Sequence, residues 1–320
     1  MKAMTVATLA EPTLESVETR LRDELAQGDA TLSTAAPILR HLLVNEDQGL
    51  FSDEVVARVR GMLTDAARQL LHAQAEAAGV VDRAGFVAER ETGLTERLAG
   101  ETALLAHVHA LTIEARLALL LQARSNVDAV LCPLLQELVA SRDDVVAASA
   151  MAALAAQARF IQHHRRMALP LGELPGDSLH AALLAMREEA GEQDHAAVAA
   201  ERYLRDSFDE SRGRLGLISR LVMGMGKTAL RALDIGHAGL AIFATSLAMA
   251  SGQQRDLAVL SFSDRQFARL ALAMRAAGLK QPAVEAQFLY LHPDVVLPEG
   301  FDKLAAHHAA MLLAAASSNG

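Results

Sequence analysis

The chain has 320 residues, of which 52% are hydrophobic, 22% are charged and only 3% are aromatic, and its formal net charge is −9. An acidic chain is a poor candidate for a dedicated nucleic-acid-binding protein, because neutralisation of phosphate charge drives such binding. The single cysteine, Cys132, excludes an intrachain disulfide and favours a reducing compartment. Alanine and leucine dominate while β-branched and aromatic runs are scarce, so we expect an all-α fold.

Apolar residues recur at helical spacing along most of the chain. The predicted helices cover residues 13–27, 33–44, 53–78 (capped by Ser52), 101–124, 127–138, 143–166, 177–189, 195–212, 236–250, 266–277, 281–290 and 302–316. Residues 1–10 are predicted to be disordered, and residues 80–100, with three glycines, to form a short helix or a connector. The helix over 101–124 is apolar on several faces, which predicts a central, buried position.

Two prolines and two glycines between residues 170 and 176 predict a boundary between two halves. We expect residues 11–170 to form a half built from helical hairpins, and residues 171–320 to form a C-terminal helical half packed on it. The most apolar stretch, residues 236–252, is shorter than the ~20 residues that span a bilayer. Residues 1–12 carry no apolar run of signal-peptide length. The expected protein is therefore cytoplasmic and has no transmembrane segment.

One sequence motif occurs twice in the N-terminal half. Pro-Ile-Leu at residues 37–39, followed by Asp-Glu-Val-Val-Ala at 53–57, recurs as Pro-Leu-Leu at 133–135 and Asp-Asp-Val-Val-Ala at 143–147. Each copy predicts a helix, a turn and a second helix that begins with acidic residues. Self-similarity of this kind is typical of stacked helical hairpins, which present surfaces for binding rather than catalytic sites.

The second copy resembles the HEAT-like class of helical repeats. The residues at matching places are Pro133, Leu134, Leu135, Leu138, Asp144, Val145, Ala148, Ala152 and Leu154. The arginine that often follows the valine in that class is absent, and Val146 and Ala147 stand there. The resemblance implies a right-handed solenoid of antiparallel hairpins, here with a C-terminal helical bundle. The whole chain also resembles uncharacterised bacterial helical families labelled only as domains of unknown function, which implies a fold and no activity.

Residues 212–231 form a basic segment, because no Asp or Glu occurs between Ser211 and Leu233. Its cations are Arg212, Arg214, Arg220, Lys227 and Arg231. On a helical wheel, Arg220, Lys227 and Arg231 fall within about 40° of one another. This pattern is typical of a helix that binds an acidic partner or an anionic membrane, although a solvated surface helix has the same pattern. Gly216, Gly224 and Gly226 in the segment predict a break near Gly224.

A second group of cations, His163, His164, Arg165 and Arg166, ends the helix predicted over 143–166. Positive side chains at a helix C-terminus are stabilised by the helix dipole. A functional alternative is phosphotransfer by His163 or His164 in a helical signalling module. The acidic residue that follows the phosphorylated histidine of sensor kinases is absent, because Arg165 stands in that position.

The sequence shows no catalytic constellation, and we expect neither enzymatic activity nor a cofactor or metal ion. The histidines lack metal-ligand spacing, and Gly224–Thr228 lacks the first glycine of a phosphate-binding loop. We therefore expect an adaptor that binds a partner protein, with Arg220, Lys227, Arg231, Arg165 and Arg166 as partner-binding residues. A homodimer is compatible with the sequence, which gives no indication for or against a small-molecule ligand.

Overall fold

A computed structural model of the protein describes residues 14–44, 53–191, 193–263 and 266–317. Residues 1–10, predicted to be disordered, and the predicted cap Ser52 lie outside these ranges. The described part of the chain is all-helical and contains no strand, which confirms the predicted all-α class. Its fourteen α-helices are Leu14–Val44 (α1), Asp53–Ala77 (α2), Arg83–Gly100 (α3), Thr102–Ser125 (α4), Pro133–Val139 (α5), Asp144–Arg165 (α6), Gly176–Ala190 (α7), His195–Ser207 (α8), Arg214–Gly224 (α9), Ile235–Ser251 (α10), Arg255–Leu260 (α11), Phe267–Ala276 (α12), Gln281–Leu291 (α13) and Ala306–Ser317 (α14). Four 3₁₀ segments join them, at Leu171–Glu173, Glu210–Arg212, Gly226–Leu233 and Phe301–Lys303.

Three apolar cores hold these helices together. The first core is formed by α2, α3, α4 and α7, and the second by α1, α4, α10 and α12–α14. The third core is smaller and lies among α5, α6, α9 and the start of α10. Each core takes residues from both sides of residue 170. The division into halves at 11–170 and 171–320 stays a prediction.

Helix α4 joins the first two cores, as its apolar pattern on several faces predicts. Leu104 and Leu105 lie in the first core, whereas Ala118 and Leu121 lie in the second. Helix α10 joins the second and third cores in a similar way. It bends at Gly239, whose φ of 69° and ψ of 166° are accessible to glycine and strained for other residues.

The prediction of two helices over 13–27 and 33–44 was wrong, because α1 is continuous from Leu14 to Val44. Val17, Leu21 and Leu25 of α1 are buried in the second core. The side-chain amide of Gln266 donates a hydrogen bond of 2.7 Å to the carbonyl of Gly28. This packing offsets the cost of about 1 kcal/mol of a glycine within a helix, at Gly28.

Helix α3, with 18 residues, is longer than the short helix or connector predicted for residues 80–100. Val87, Leu94 and Leu98 bury one face of it in the first core. A Cβ atom at Gly93 would lie 2.6 Å from the carboxylate of Glu189, so this glycine makes room for a side chain of α7. In the other direction, the helix predicted over 195–212 ends earlier, at Ser207.

The second copy of the repeated motif forms a helical hairpin, but its first helix, predicted over 127–138, begins only at Pro133. Pro133 occupies the first turn of α5, where its missing N–H is not needed. The carboxylate of Asp143 accepts hydrogen bonds from the backbone N–H groups of Val145 and Val146 and so caps α6. The first copy lies in α1 and α2, and the side chains of its residues 37–39 lie outside the described part of the chain.

Candidate interaction surfaces

The basic segment 212–231 breaks where the glycines predict. Helix α9 ends at Gly224, and a 3₁₀ helix begins at Gly226, whose φ is 51°. A helical wheel of constant pitch therefore does not describe Arg220, Lys227 and Arg231 together. The motif at 224–228 follows a helix rather than a strand, so its backbone lacks the geometry of a phosphate-binding loop.

Among the five predicted partner-binding residues, those in the basic segment are exposed and differ in their neighbours. Arg220 donates a hydrogen bond of 2.7 Å to the carbonyl of Ser211. Arg231 forms an ion pair with Glu137 of α5 and lies 2.9 Å from Nε2 of His237. Lys227 forms no ion pair with a described residue.

The structure separates these residues from Arg165 and Arg166, which are exposed at the end of α6. Glu137, the partner of Arg231, precedes α6 by seven residues, so Arg231 lies near the first turns of that helix. A helix of 22 residues is about 33 Å long. Arg231 and the pair Arg165 and Arg166 therefore lie at different places along α6 rather than in one patch.

The outer face of α6 adds apolar side chains to this basic surface. Val145, Ala148, Met151 and Ala155 recur every three or four residues and are all exposed, with Val145 at 76% and Met151 at 51%. The neighbouring elements of the third core expose further large apolar side chains, which are Leu131, Met223 and Leu230. We call these seven residues, together with Arg220, Lys227 and Arg231, the α6 surface.

Two helices, α4 and α6, are long and apolar enough to cross a membrane by length and composition. The bent pair Gly226–Leu233 and Ile235–Ser251 would add a third span. These alanine-rich helices contain few charges, but their apolar residues do not form one continuous run. In the most apolar part of each helix, 67% of α4 but only 28% of α6 is buried inside the protein. Of these two helices, α6 therefore has the larger exposed apolar surface.

The histidine pair proposed for phosphotransfer is largely hidden. His164 is 4% exposed and lies against the ring of Phe160, and its Nδ1 has no hydrogen-bond partner among the described residues. Burial, together with the nearby Arg58, lowers the pKa of His164 to about 4. His163 is half-buried and is the residue on which that alternative now depends.

Arg214 has a different environment from the other cations of the basic segment. It is 2% exposed and forms two hydrogen bonds, of 2.7 and 2.9 Å, to the carboxylate of Glu114 in α4. Arg255, at the start of α11, forms two further bonds of 2.9 Å to the same carboxylate. We call Glu114, Arg214 and Arg255 the buried ionic cluster. The expectation that Arg214 belongs to an exposed basic segment was wrong, because Glu114 pairs with it in the interior.

The two arginines of the cluster have additional polar or aromatic neighbours. Gln157 of α6 accepts a hydrogen bond of 3.1 Å from Arg214, whose guanidinium lies 3.7 Å from the centre of the Phe160 ring. Thr245 of α10 accepts a bond of 2.9 Å from Arg255. Five helices, α4, α6, α9, α10 and α11, therefore meet at this cluster.

Two arginines and one glutamate leave one positive charge in excess, and two carboxylates lie nearby. Glu173 accepts a hydrogen bond of 2.6 Å from the backbone N–H of Arg214. Asp256 is adjacent to Arg255 and lies 2.8 Å from Nδ1 of His107, which is 1% exposed. Burial alone would raise the pKa of Glu114, but the two guanidinium groups outweigh it and hold that pKa well below its usual value. Glu114 is therefore ionised at all physiological pH values.

The buried ionic cluster was not predicted, although the sequence contains one signal for it. Glu114 is an acidic residue in a helix that is otherwise apolar on the same side. Buried glutamate is rare unless it is paired, so a buried helix that contains one predicts an arginine or lysine partner elsewhere. Its partners, at sequence distances of 100 and 141 residues, have no local signal.

The described residues offer little for catalysis or metal binding. No three His, Cys, Asp or Glu side chains in this part of the chain come together as a metal site. Cys132 is 3% exposed, and burial raises the pKa of its thiol, so the thiol is a poor nucleophile. The space that adjoins Arg214 and His164 holds only about 20 Å³, which is the size of a water molecule.

Comparison of the chain with protein-family models, with curated proteins and with solved structures finds no match.

Proposed function

We propose that the protein is a non-enzymatic, cytoplasmic adaptor that binds a partner protein on the α6 surface. The observation that carries this proposal is the exposed apolar stripe of α6, whose neighbours also expose Leu131, Met223 and Leu230. Contiguous exposed apolar surface rimmed by polar residues marks interaction sites in soluble proteins. We also propose that the α5–α6 hairpin is a HEAT-like unit, supported by its proline at the first position of α5 and its aspartate cap.

The charges around the stripe define the partner. Arg220 and Lys227 are exposed without an ion pair to a described carboxylate, and both lie in elements that pack next to α6 or α10. A partner with an apolar face and acidic residues beside it complements this surface. The apolar stripe would supply most of the binding energy, and the arginines and lysine would orient the partner and speed its association.

The experiment compares two methionines of similar exposure. Met151 on α6 is 51% exposed and Met311 on α14 is 58% exposed. Tagged wild-type protein, Met151→Glu and Met311→Glu are purified from extracts of the source cells at modest salt, and the bound proteins are quantified by mass spectrometry. We expect one stoichiometric partner that is lost from Met151→Glu and retained by Met311→Glu. A partner retained by both variants, or no partner at all, contradicts the proposal.

The basic residues are tested separately. Arg220→Glu/Lys227→Glu/Arg231→Glu is compared with Arg22→Glu/Arg90→Glu/Arg202→Glu, which changes the net charge equally at other exposed sites. We expect the first triple variant to lose the partner and the second to keep it. Equal retention by both would remove these residues from the interface while leaving the role of the α6 stripe open to the methionine test.

A second candidate function is peripheral attachment to an anionic membrane. The specific observation behind it is that α6 has the length and composition of a membrane helix and is mostly uncovered. Sedimentation with vesicles containing phosphatidylserine at low and high salt tests this function, because surface-charge attraction weakens with salt. Salt-sensitive sedimentation that Met151→Glu abolishes would favour the membrane over a partner protein.

A further inference from the structure

A groove lies between the C-terminal half of α4 and the end of α13. Its volume is about 260 Å³. One wall is the outer face of α4, formed by Ile113, Leu117 and Leu120 at helical spacing. The other wall is formed by residues 262–263, before α12, and residues 290–292, at the end of α13. We call it the α4–α13 groove.

The second wall is fixed by side-chain contacts. Nε2 of His292 lies 2.7 Å from the carbonyl oxygen of Phe262. The imidazole of His292 also makes an edge-on contact with the ring of Phe267, with 4.7 Å between the ring centres. Phe262 is fully buried in the second core. The groove is therefore largely formed before any ligand binds.

Both charged side chains among the described residues that line the groove are arginines. Arg116 and Arg124 of α4 are exposed, and neither forms an ion pair with a described residue. No Asp or Glu among the described residues belongs to the lining, although the chain as a whole has a net charge of −9. Elsewhere, exposed arginines such as Arg68, Arg97 and Arg205 pair with glutamates. Within the described part of the chain, the groove thus combines apolar walls with two cations that form no ion pair with a carboxylate.

The spacing of the two arginines indicates what complements them. They are eight residues apart on one helix, which corresponds to about 12 Å along its axis. Two carboxylates seven or eight residues apart on a second helix have nearly the same separation and lie on one face. Leu117 and Leu120, which is 41% exposed, lie between the arginines and would contact apolar side chains between those carboxylates.

We propose that the α4–α13 groove binds an amphipathic, acidic helix of a partner protein. The leucine-type side chains of this helix enter the groove, and its carboxylates pair with Arg116 and Arg124. Small-molecule sites are usually larger and more enclosed than this groove, whereas its size suits the side chains of a docked helix. The groove shares no element with the α6 surface, since α5, α6, α9 and the segment Gly226–Leu233 contribute no residue to its lining.

The groove deepens the proposed adaptor function and rests on it, because an adaptor needs a second binding site. The two sites can fail separately. Met151→Glu tests the α6 surface without changing the groove, and Arg116→Glu/Arg124→Glu tests the groove without changing the α6 surface.

The first experiment selects ligands from a display library of random 16-residue peptides on the purified full-length protein. We expect enrichment of peptides with leucine-type residues and two carboxylates seven or eight positions apart. The binding of one fluorescein-labelled selected peptide is then measured by anisotropy. We expect Arg116→Glu/Arg124→Glu to weaken binding by about tenfold or more, and binding to the wild type to weaken with salt. The matched control is Arg142→Glu/Arg159→Glu, which changes two exposed arginines elsewhere and should keep the affinity.

The decisive arm is a charge exchange. The selected peptide with its two carboxylates changed to lysine should bind Arg116→Glu/Arg124→Glu more tightly than it binds the wild type. Failure to enrich any peptide, or equal binding of the selected peptide by both double variants, would overturn the proposal. Self-association that sedimentation detects for the wild type and not for Arg116→Glu/Arg124→Glu would also overturn it, since a second copy of the chain would then occupy the groove. If no peptide is enriched while the wild type and Met311→Glu both keep the α6 partner, the groove proposal fails and the proposed adaptor function stands.

Discussion

Arg214 and Arg220 lie six residues apart in the same basic segment and have opposite surroundings. Arg214 is enclosed by Glu114, Gln157 and the ring of Phe160, whereas Arg220 is exposed and bonded to one backbone carbonyl. The same contrast separates the two environments of α6. Its inner face meets the buried ionic cluster and the third core, and its outer face exposes an apolar stripe. The difference shows that residue type alone does not tell whether a charged side chain stabilises the interior or is available for binding. The presence of a partner distant in the sequence, such as Glu114, determines which role the side chain has.

The largest expected effect comes from removing the charge of Glu114. Glu114→Gln keeps the shape of the side chain but leaves Arg214 and Arg255 without a carboxylate in the interior. Breaking a buried ion pair by neutralising one partner costs about 3–5 kcal/mol. We expect a fall of this size in the free energy of unfolding, measured by urea denaturation at pH 7. A change of less than about 1 kcal/mol would show that the cluster is solvated or rearranges easily.

A second expected effect concerns pH and the buried histidines. Burial lowers the pKa of His109 and of His164 from 6.5 to about 4. The unfolded chain therefore binds more protons than the folded protein between these values, and stability falls as the pH decreases through that range. At pH 5 each histidine should reduce the free energy of unfolding by about 2 kcal/mol relative to pH 7.

Denaturation of His109→Gln/His164→Gln at both pH values measures this contribution. We expect the double variant to lose less stability on acidification than the wild type, while His72→Gln, a change at an exposed position, behaves as the wild type does. An identical pH dependence in the double variant and the wild type would mean that other groups cause it.

A smaller effect is expected at the cap of α6. Asp143→Ala removes the acceptor for the backbone N–H groups of Val145 and Val146, which should cost about 1 kcal/mol. Asp144→Ala, one residue later, removes a first-turn charge but no cap and should cost less. If thermal denaturation ranks the two variants in the reverse order, the cap does not hold this end of the helix.

The smallest expected effect is at the surface partner of Arg231. Glu137→Gln breaks the exposed ion pair, and exposed pairs contribute little because water and salt screen them. We expect unfolding by urea to be nearly unchanged. A loss comparable to that of Glu114→Gln would remove the distinction between the interior and the α6 surface from which these predictions start.

The sequence predicted what depends on neighbouring residues. The all-α class, the acidic residues at the N-terminus of α6 and the break near Gly224 all follow from short-range rules. It did not predict what depends on distant contacts. Gly28 allows α1 to continue because Gln266 bonds there, and Gly93 lies in a helix because Glu189 packs against it.

The candidate surfaces divide in the same way. Arg220, Lys227 and Arg231 are exposed, as expected for a binding surface, yet their spacing on one wheel is lost at Gly226. Arg116 and Arg124 were not predicted as binding residues. They line a groove only because α13, more than 150 residues later in the chain, forms its opposite wall. No pattern within α4 indicates which element will form the opposite wall.

The buried ionic cluster also orders the assembly of the molecule in time. Ribosomes add about 5–20 residues per second, so Arg255 is synthesised roughly 7–28 s after Glu114, from which it is separated by 141 residues. During that interval the nascent α4 carries a carboxylate whose second guanidinium does not yet exist. The helices α4, α6, α9, α10 and α11 can therefore reach their final arrangement only after most of the chain has been translated, and a chain truncated before Arg255 lacks the residue that completes their junction.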